Sequence, residues 1–191
     1  MFGNIATKSR SWALLLILAL VLWREIAVHF EIHHFQPYLA FIFCFAAFRK
    51  ASWAILLGGV YAISTIMMTG GQVGIWFVAI LFSFVAIGFL GSAFKSIQNP
   101  FARLGGSFAG ATIFYLVTNF ASWLTIPAYP RSLEGLNQAL WSGLPGYAPT
   151  WTFFRNDLVS TLLFTCLFLV LFHRTSPSRR KEASTLGLPT A

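Results

Sequence analysis

Long apolar segments separated by short polar or basic links dominate this chain. A helix needs about 20 apolar residues to cross the roughly 30 Å hydrocarbon core of a bilayer. Five of the six segments approach that length, and the segment over residues 37–48 is shorter. The pattern predicts an all-α integral membrane protein, a bundle of six transmembrane helices with the lipid bilayer as its surroundings. The six segments are residues 11–30, 37–48, 51–68, 74–90, 101–124 and 153–173.

Composition supports this prediction and sets the domain organisation. The chain is 57% hydrophobic and 9% charged, whereas about a quarter of the residues of a soluble domain are charged. The segments use nearly the whole length, so residues 1–174 are predicted to form one six-helix membrane domain. Residues 175–191 combine proline, glycine and small polar residues with a basic cluster, which is typical of a disordered tail.

The positions of the basic residues predict the topology. With six crossings, ten of the 13 lysines and arginines fall on one side of the membrane. Only Arg24, Arg131 and Arg155 fall on the other side. Lysine and arginine concentrate on the cytoplasmic side, so both termini are predicted to be cytoplasmic. These charges flank the segments instead of forming a basic face, so no nucleic-acid partner is predicted.

Sequence motifs give no indication of an enzyme or a cofactor. The chain lacks a GxSxG nucleophile elbow, an HExxH motif, a P-loop and a Rossmann fingerprint. Cys44 and Cys166 both lie within apolar segments and have no ligand spacing, so neither a disulfide nor a zinc site is predicted.

Three histidines in the first external link leave a metal site open as an alternative. His29 and His33 are four residues apart and would share one face of a continuing helix. Pro37 nearby favours a loop in which these histidines and His34 are solvated. The histidines are therefore assigned to no metal.

The links on the predicted external face are the richest in polar and aromatic residues. They cover residues 24–37, 69–76 and 126–152, and loops on a rigid scaffold commonly carry function. We predict that they bind a small-molecule substrate. Charged and amide groups would make directional contacts with it, and aromatic rings would stack on it. The candidate residues are Arg24, His33, His34, Gln72, Trp76, Asn119, Trp123, Tyr129, Arg155 and Asn156.

Simpler structural roles remain open for several of these candidates. Arg24 and Arg155 would also suit snorkelling to the interface, and the tryptophans would suit an interfacial belt. Asn119 would suit a hydrogen bond between helices. Likewise, Gly106 and Gly110 have the four-residue spacing of close helix packing, or of a groove that seats a partner helix.

Several short segments, in this order and spacing, resemble a known family. They are Arg24, residues 35–40, residues 118–124, Tyr129-Pro130, Gly135-Leu136 and residues 153–156. The resemblance is to the DUF6580 group of six-helix bacterial membrane transport proteins, which is itself similar to the substrate-binding S components of energy-coupling factor (ECF) vitamin transporters.

This resemblance implies an S-component-like bundle whose outer helix ends and external loops enclose a small-molecule site. It also implies a location in the bacterial inner membrane and uptake of a micronutrient such as a vitamin or cofactor precursor. Transport would proceed alone or with an ATP-driven energising module. The alternative is a membrane assembly subunit that transports nothing and packs against partner helices.

Overall fold

The described part of the chain is helical. The computed structural model describes residues 22–23, 26–27, 29–30, 34–48 and 51–173, with the backbone alone for residues 51 and 171–173. No strand occurs within these ranges. The helices are α1 (Tyr38–Phe48), α2 (Ala51–Met68), α3 (Ile75–Ala93), α4 (Pro100–Thr125), α5 (Leu133–Leu140) and α6 (Thr150–His173). Most of the first apolar segment and the whole of the basic tail lie outside the described residues.

Three helices are long and apolar enough to cross a bilayer, namely α3, α4 and residues Thr150–Val170 of α6. Their outer surfaces are apolar as well. On α3, Val78, Phe82, Val85 and Phe89 form one stripe and are between 56% and 74% exposed. Such a stripe would be unfavourable in water and is expected against lipid tails. The protein is therefore an all-helical membrane protein.

The shortest apolar segment forms the centre of the bundle. Helix α1 has 11 residues, nine of which are buried, and it packs against α2, α3, α4 and α6. At 1.5 Å per residue it is only about 16 Å long. A helix enclosed by protein does not have to match the thickness of the bilayer, which explains how so short a segment belongs to a membrane fold.

Two glycines bring the neighbouring helices close to α1. A Cβ atom on Gly91 would lie 2.5 Å from the carbonyl oxygen of Phe43, and a Cβ atom on Gly106 would lie 2.7 Å from the ring of Phe43. A Cβ atom on Gly110 would contact Ile87 at 3.5 Å. The Gly106–Gly110 pair is thus filled by helices of the same chain, which supports the packing interpretation over a groove for a separate subunit.

The helices alternate in direction, so the two ends of the bundle differ. Helices α1, α3 and α6 begin at the end where α2 and α4 finish; we call this the chamber end. The opposite end holds Lys95 and Arg103. There the guanidinium carbon of Arg103 lies 3.9 Å from the centre of the Phe48 ring, a cation–π contact.

Residues 126–149, which connect α4 to α6 at the chamber end, contain a short helix that the hydrophobic pattern did not predict. The Ser132 hydroxyl accepts a hydrogen bond from the backbone N–H of Gly135 at 3.2 Å and so caps α5. The indole N–H of Trp123 donates to the carbonyl oxygen of Pro130 at 2.8 Å. These bonds hold the connection against the end of α4.

Candidate functional site

Two adjoining cavities open at the chamber end. One has a volume of about 550 Å³ and the other about 250 Å³. His34, Ile80 and Asp157 line both of them. We call the two cavities together the chamber. Its size falls within the range of sites that hold small organic ligands.

An ionisable pair lies where the two cavities meet. Nδ1 of His34 is 3.1 Å from Oδ2 of Asp157, and the side chains are 43% and 8% exposed, respectively. An ionised carboxylate can only accept hydrogen bonds, so the imidazole supplies the proton of this bond when Asp157 is ionised. A buried carboxylate in a membrane helix is costly without such a partner and commonly marks a functional site.

The backbone and a neighbouring ring place the imidazole. His34 has a positive φ of 60°, a conformation in which histidine is enriched among non-glycine residues. Its ring stacks on Phe153 with a centroid separation of 4.6 Å. The Ser160 hydroxyl lies 3.2 Å from the carbonyl oxygen of Gln36 and 3.0 Å from that of Asp157, and its proton is shared between these two acceptors. The contact with Gln36 links the segment before α1 to α6.

The larger cavity has hydroxyl and amide groups along one wall, on α4. The hydroxyl of Thr118 donates to Phe114 O at 2.8 Å, and that of Ser122 donates to Thr118 O at 3.0 Å. These bonds satisfy the hydroxyl protons within the helix. The oxygen lone pairs remain acceptors for a ligand in the cavity.

Aromatic side chains form much of the remaining wall of the larger cavity. Trp76 reaches it from the start of α3, Tyr115 from α4, and Tyr129 and Tyr147 from the α4–α6 connection. Burial raises the pKa of Tyr129 above its ordinary value, and a hydrogen bond with Thr150 offsets part of that rise. The Tyr129 hydroxyl is therefore protonated at neutral pH and is able to donate.

Aromatic rings form much of the smaller cavity, beside the polar groups of His34, Gln36 and Asp157. Its rings are in edge contact, with centroid separations of 5.1 Å between Tyr38 and Tyr61 and 5.0 Å between Tyr61 and Phe84. Leu39 and Phe114 complete much of its lining.

The structure brings four of the ten predicted site residues to the chamber, namely His34, Trp76, Asn119 and Tyr129. Asn119 donates from Nδ2 to the carbonyl oxygen of Tyr115 at 2.8 Å. That bond stays within α4 and does not cross to another helix. Arg24 and His33 lie outside the described residues.

The other four predicted residues line neither cavity. Gln72 is exposed in the α2–α3 link, and Trp123 anchors Pro130. The exposed Arg155 donates to Oδ1 of Asn156 at 3.2 Å and lies 5.5 Å from the centre of the Trp151 ring. Arg155 thus has its contacts on the exposed side of α6, and the snorkelling interpretation stays a prediction.

Sequence reasoning omitted the residue that joins the two cavities. The candidates predicted from the sequence include its neighbours Arg155 and Asn156 but not Asp157. The signal was present, because Asp157 is the single acidic residue of the segment over residues 153–173. Tyr115, Thr118 and Phe153 were also omitted, since threonine and aromatic residues are ordinary components of apolar helices.

Histidine ligation of a metal finds no support in the described part of the chain. No group of three histidine, cysteine, aspartate or glutamate side chains lies together there. His29 is exposed and makes an edge contact with Phe30, with a centroid separation of 5.1 Å. The prediction for His33 stays untested, because that residue is outside the described ranges.

These features define a class, an all-helical membrane protein with a chamber at one end of its bundle. The chain belongs to the DUF6580 family, a family of unknown function, whose profile matches residues 5–183. No curated protein and no solved structure matches the chain. The predicted family is thus confirmed, and the likeness to ECF S components stays a prediction.

Proposed function

We propose that this protein is a substrate-binding membrane transport protein, similar to an ECF S component, for the uptake of a small micronutrient. Six crossings would place both termini in the cytoplasm of a bacterium and the chamber on the outer face of the inner membrane. Such a bundle would consist of the three helices that are long enough to cross, together with α1, α2 and the apolar segment over residues 11–30.

The observation that carries the proposal is the chamber itself. A filled bundle end would indicate a purely structural protein, whereas here about 550 Å³ and about 250 Å³ adjoin around a buried carboxylate. Polar groups on one wall and rings on the others are the usual composition of a small-molecule site. Binding proteins need both, because rings supply affinity and polar groups fix orientation.

The charge distribution supports an outward-facing chamber. Lys95 and Arg103 lie at the end opposite the chamber, and the sequence adds Arg49 and Lys50 to the links on that side. The positive-inside rule assigns such an end to the cytoplasm. The chamber end would then take substrate from outside.

The α4–α6 connection is suited to close over a ligand. Gly143 and Gly146 have φ values of +72° and +86°, a region that glycine enters without strain. Between and around them, Leu144, Tyr147 and Ala148 line the larger cavity. We propose that movement of this segment encloses the substrate and that rearrangement of the bundle, alone or driven by an ATP-hydrolysing partner, passes it inward.

A filled-chamber variant tests the proposal. Thr118→Phe would place a ring in the larger cavity, whereas Thr112, on the same helix, bonds its own helix in the same way through a hydroxyl 3.0 Å from Phe108 O and does not line the chamber. Native mass spectrometry of gently purified protein should show a bound small molecule in the wild type and in Thr112→Phe. Thr118→Phe should lack it.

The proposal fails if wild-type protein is repeatedly empty and reconstituted liposomes show no uptake from a pooled vitamin mixture. It also fails if the Thr118→Phe variant retains the same bound mass as the wild type, because the molecule would then lie elsewhere.

A further inference from the structure

We propose that the chamber selects an organic cation, specifically a flat, ring-bearing amine or nitrogen heterocycle, and that Asp157 is its counter-charge. This inference rests on the proposed function only in that the chamber must bind a small molecule. It adds the chemical class of that molecule.

The first support is the distribution of charge around the chamber. Among the described residues that line it, Asp157 is the only carboxylate, and no lysine or arginine is present. Arg131 is turned to the carbonyl oxygens of Ile126 and Tyr129, 3.4 Å from each, and Arg155 contacts Asn156 on the outer surface. Among the described residues, a ligand carboxylate or phosphate would therefore meet the carboxylate of Asp157 with no lysine or arginine in the lining to offset the repulsion.

The second support is the number of aromatic side chains that line the same cavity as that carboxylate. Trp76, Tyr115, Tyr147 and Phe153 all line the cavity that Asp157 enters. Aromatic faces attract cations, and aromatic enclosures are a common way of binding organic ammonium groups. One buried carboxylate within a ring-lined cavity therefore suits a positively charged organic molecule better than a neutral polyol, which needs many more polar partners.

The third support is the position of His34 in the chamber. Its imidazole is a flat nitrogen heterocycle that stacks on Phe153 at 4.6 Å and meets Asp157 at 3.1 Å. It thereby shows, within the same chain, a group of the size and chemistry that this position accepts. The His34 side chain is 43% exposed, so it has room to move aside when a ligand replaces it at the carboxylate.

Replacement is also favourable in terms of charge. A buried carboxylate requires a hydrogen-bonded or charged partner at all times. His34 meets that need through its 3.1 Å contact. In the bound state the ligand cation would meet it, and the imidazole would return to solvent. The pair therefore keeps Asp157 satisfied before and after binding.

Three probes of nearly equal shape test the charge preference. Phenethylamine is a cation at neutral pH, phenethyl alcohol is neutral, and hydrocinnamate is an anion. Each is titrated by calorimetry into the full-length protein in lipid nanodiscs. We expect the amine to bind at least about tenfold more tightly than the alcohol, a difference of about 1.4 kcal/mol, and the anion to bind more weakly than both.

The Asp157→Asn variant identifies the source of the preference. It should bring the amine to within about threefold of the alcohol while leaving alcohol binding within about threefold of wild type, which also reports an intact chamber. The matched control is Glu134→Gln, which removes one negative charge from an exposed position on α5 and should leave the preference unchanged.

The outcomes separate this inference from the proposed function. Tighter binding of hydrocinnamate than of phenethylamine, or an amine preference that survives Asp157→Asn, would overturn the cation inference and leave a binding chamber in place. Binding of none of the three probes to the wild type would count against the binding chamber and the cation preference together.

Discussion

Nδ1 of His34 lies 3.1 Å from Oδ2 of Asp157, although 123 residues separate the two along the chain. The contact joins the segment before α1 to the first half of α6, and it sits where the two cavities meet. One pair therefore has two effects. It fastens the segment before the central helix to an outer helix, and it places an ionisable pair at the centre of the chamber.

We expect the two partners to be energetically coupled. His34→Ala leaves a buried carboxylate without its imidazole, a loss of about 1–3 kcal/mol for an unsatisfied buried group. Asp157→Asn should lower the cost of the histidine substitution, because a neutral amide is easier to bury alone. A double-mutant cycle by SDS-induced unfolding in mixed micelles, read by tryptophan fluorescence, should give a coupling of about 0.5–3 kcal/mol.

The control for this cycle is Arg155→Ala on the same helix. Arg155 is exposed, so the free energy of unfolding should change by no more than about 0.5 kcal/mol. Purely additive effects of the His34 and Asp157 substitutions would show that the contact is not formed in the folded protein.

Close packing of α3 on α1 predicts that Gly91 tolerates no side chain. In Gly91→Ala the new Cβ atom would lie 2.5 Å from the carbonyl oxygen of Phe43 and 2.9 Å from Cβ of Ala46. Backbone has to shift to relieve these contacts, so unfolding free energy should fall by about 1–3 kcal/mol.

Gly88, three residues earlier on α3, is the matched control. No atom lies within 4 Å of a Cβ atom built there. Alanine has the higher helix propensity by about 1 kcal/mol, so Gly88→Ala should leave stability unchanged or raise it slightly. Equal losses in Gly88→Ala and Gly91→Ala would contradict the packing of α3 on α1 described above.

The anchor between Trp123 and Pro130 is expected to control the motion of the α4–α6 connection. Trp123→Phe keeps a ring beside Phe120, whose centroid is 5.4 Å away, but removes the N–H that donates to Pro130. A hydrogen bond contributes about 1 kcal/mol, so amide hydrogen exchange over residues 126–149 should become roughly fivefold faster. Exchange in α4 should stay the same.

Trp141→Phe serves as the comparison, because the Trp141 side chain is 64% exposed and the substitution should change exchange in the connection very little. If both variants exchange alike, the Trp123 bond does not hold the connection in place.

The apolar pattern predicted the helix positions well. Residues 51–68 were predicted and form α2, and α4 extends the predicted range 101–124 by one residue at each end. The agreement is physical: a helix that contacts lipid must be apolar along its whole length and ends where polar residues begin. Helix α3 continues three residues beyond the predicted end because Gly91, Ser92 and Ala93 are helical but only weakly apolar.

The short helix α5 and the composition of the chamber were harder to predict. Helix α5 depends on the Ser132 cap and on the bond from Trp123 to Pro130, which are local bonds between side chain and backbone. A pattern of apolar and polar residues does not reveal such bonds. The chamber depends on which face of each helix turns inward, and apolar residues surround α3, α4 and α6 with only a few polar positions to mark that face. Trp76 and Asn119 were found because they stand out by residue type, whereas Tyr115 and Phe153 do not differ from their neighbours.

The orientation of the bundle is testable by the accessibility of single cysteines. Cys44 is fully buried and Cys166 is replaced by serine to remove background. Gln72→Cys then marks the chamber end, and Ser96→Cys marks the opposite end, both positions being exposed.

With the chamber facing outward, a membrane-impermeant maleimide added to intact cells should label Gln72→Cys and should label Ser96→Cys only after permeabilisation. Leu133→Cys, on the exposed side of α5, should react like Gln72→Cys because both lie at the chamber end. Labelling of Ser96→Cys alone in intact cells would reverse the orientation, and labelling of both ends would show that α3 does not cross the membrane.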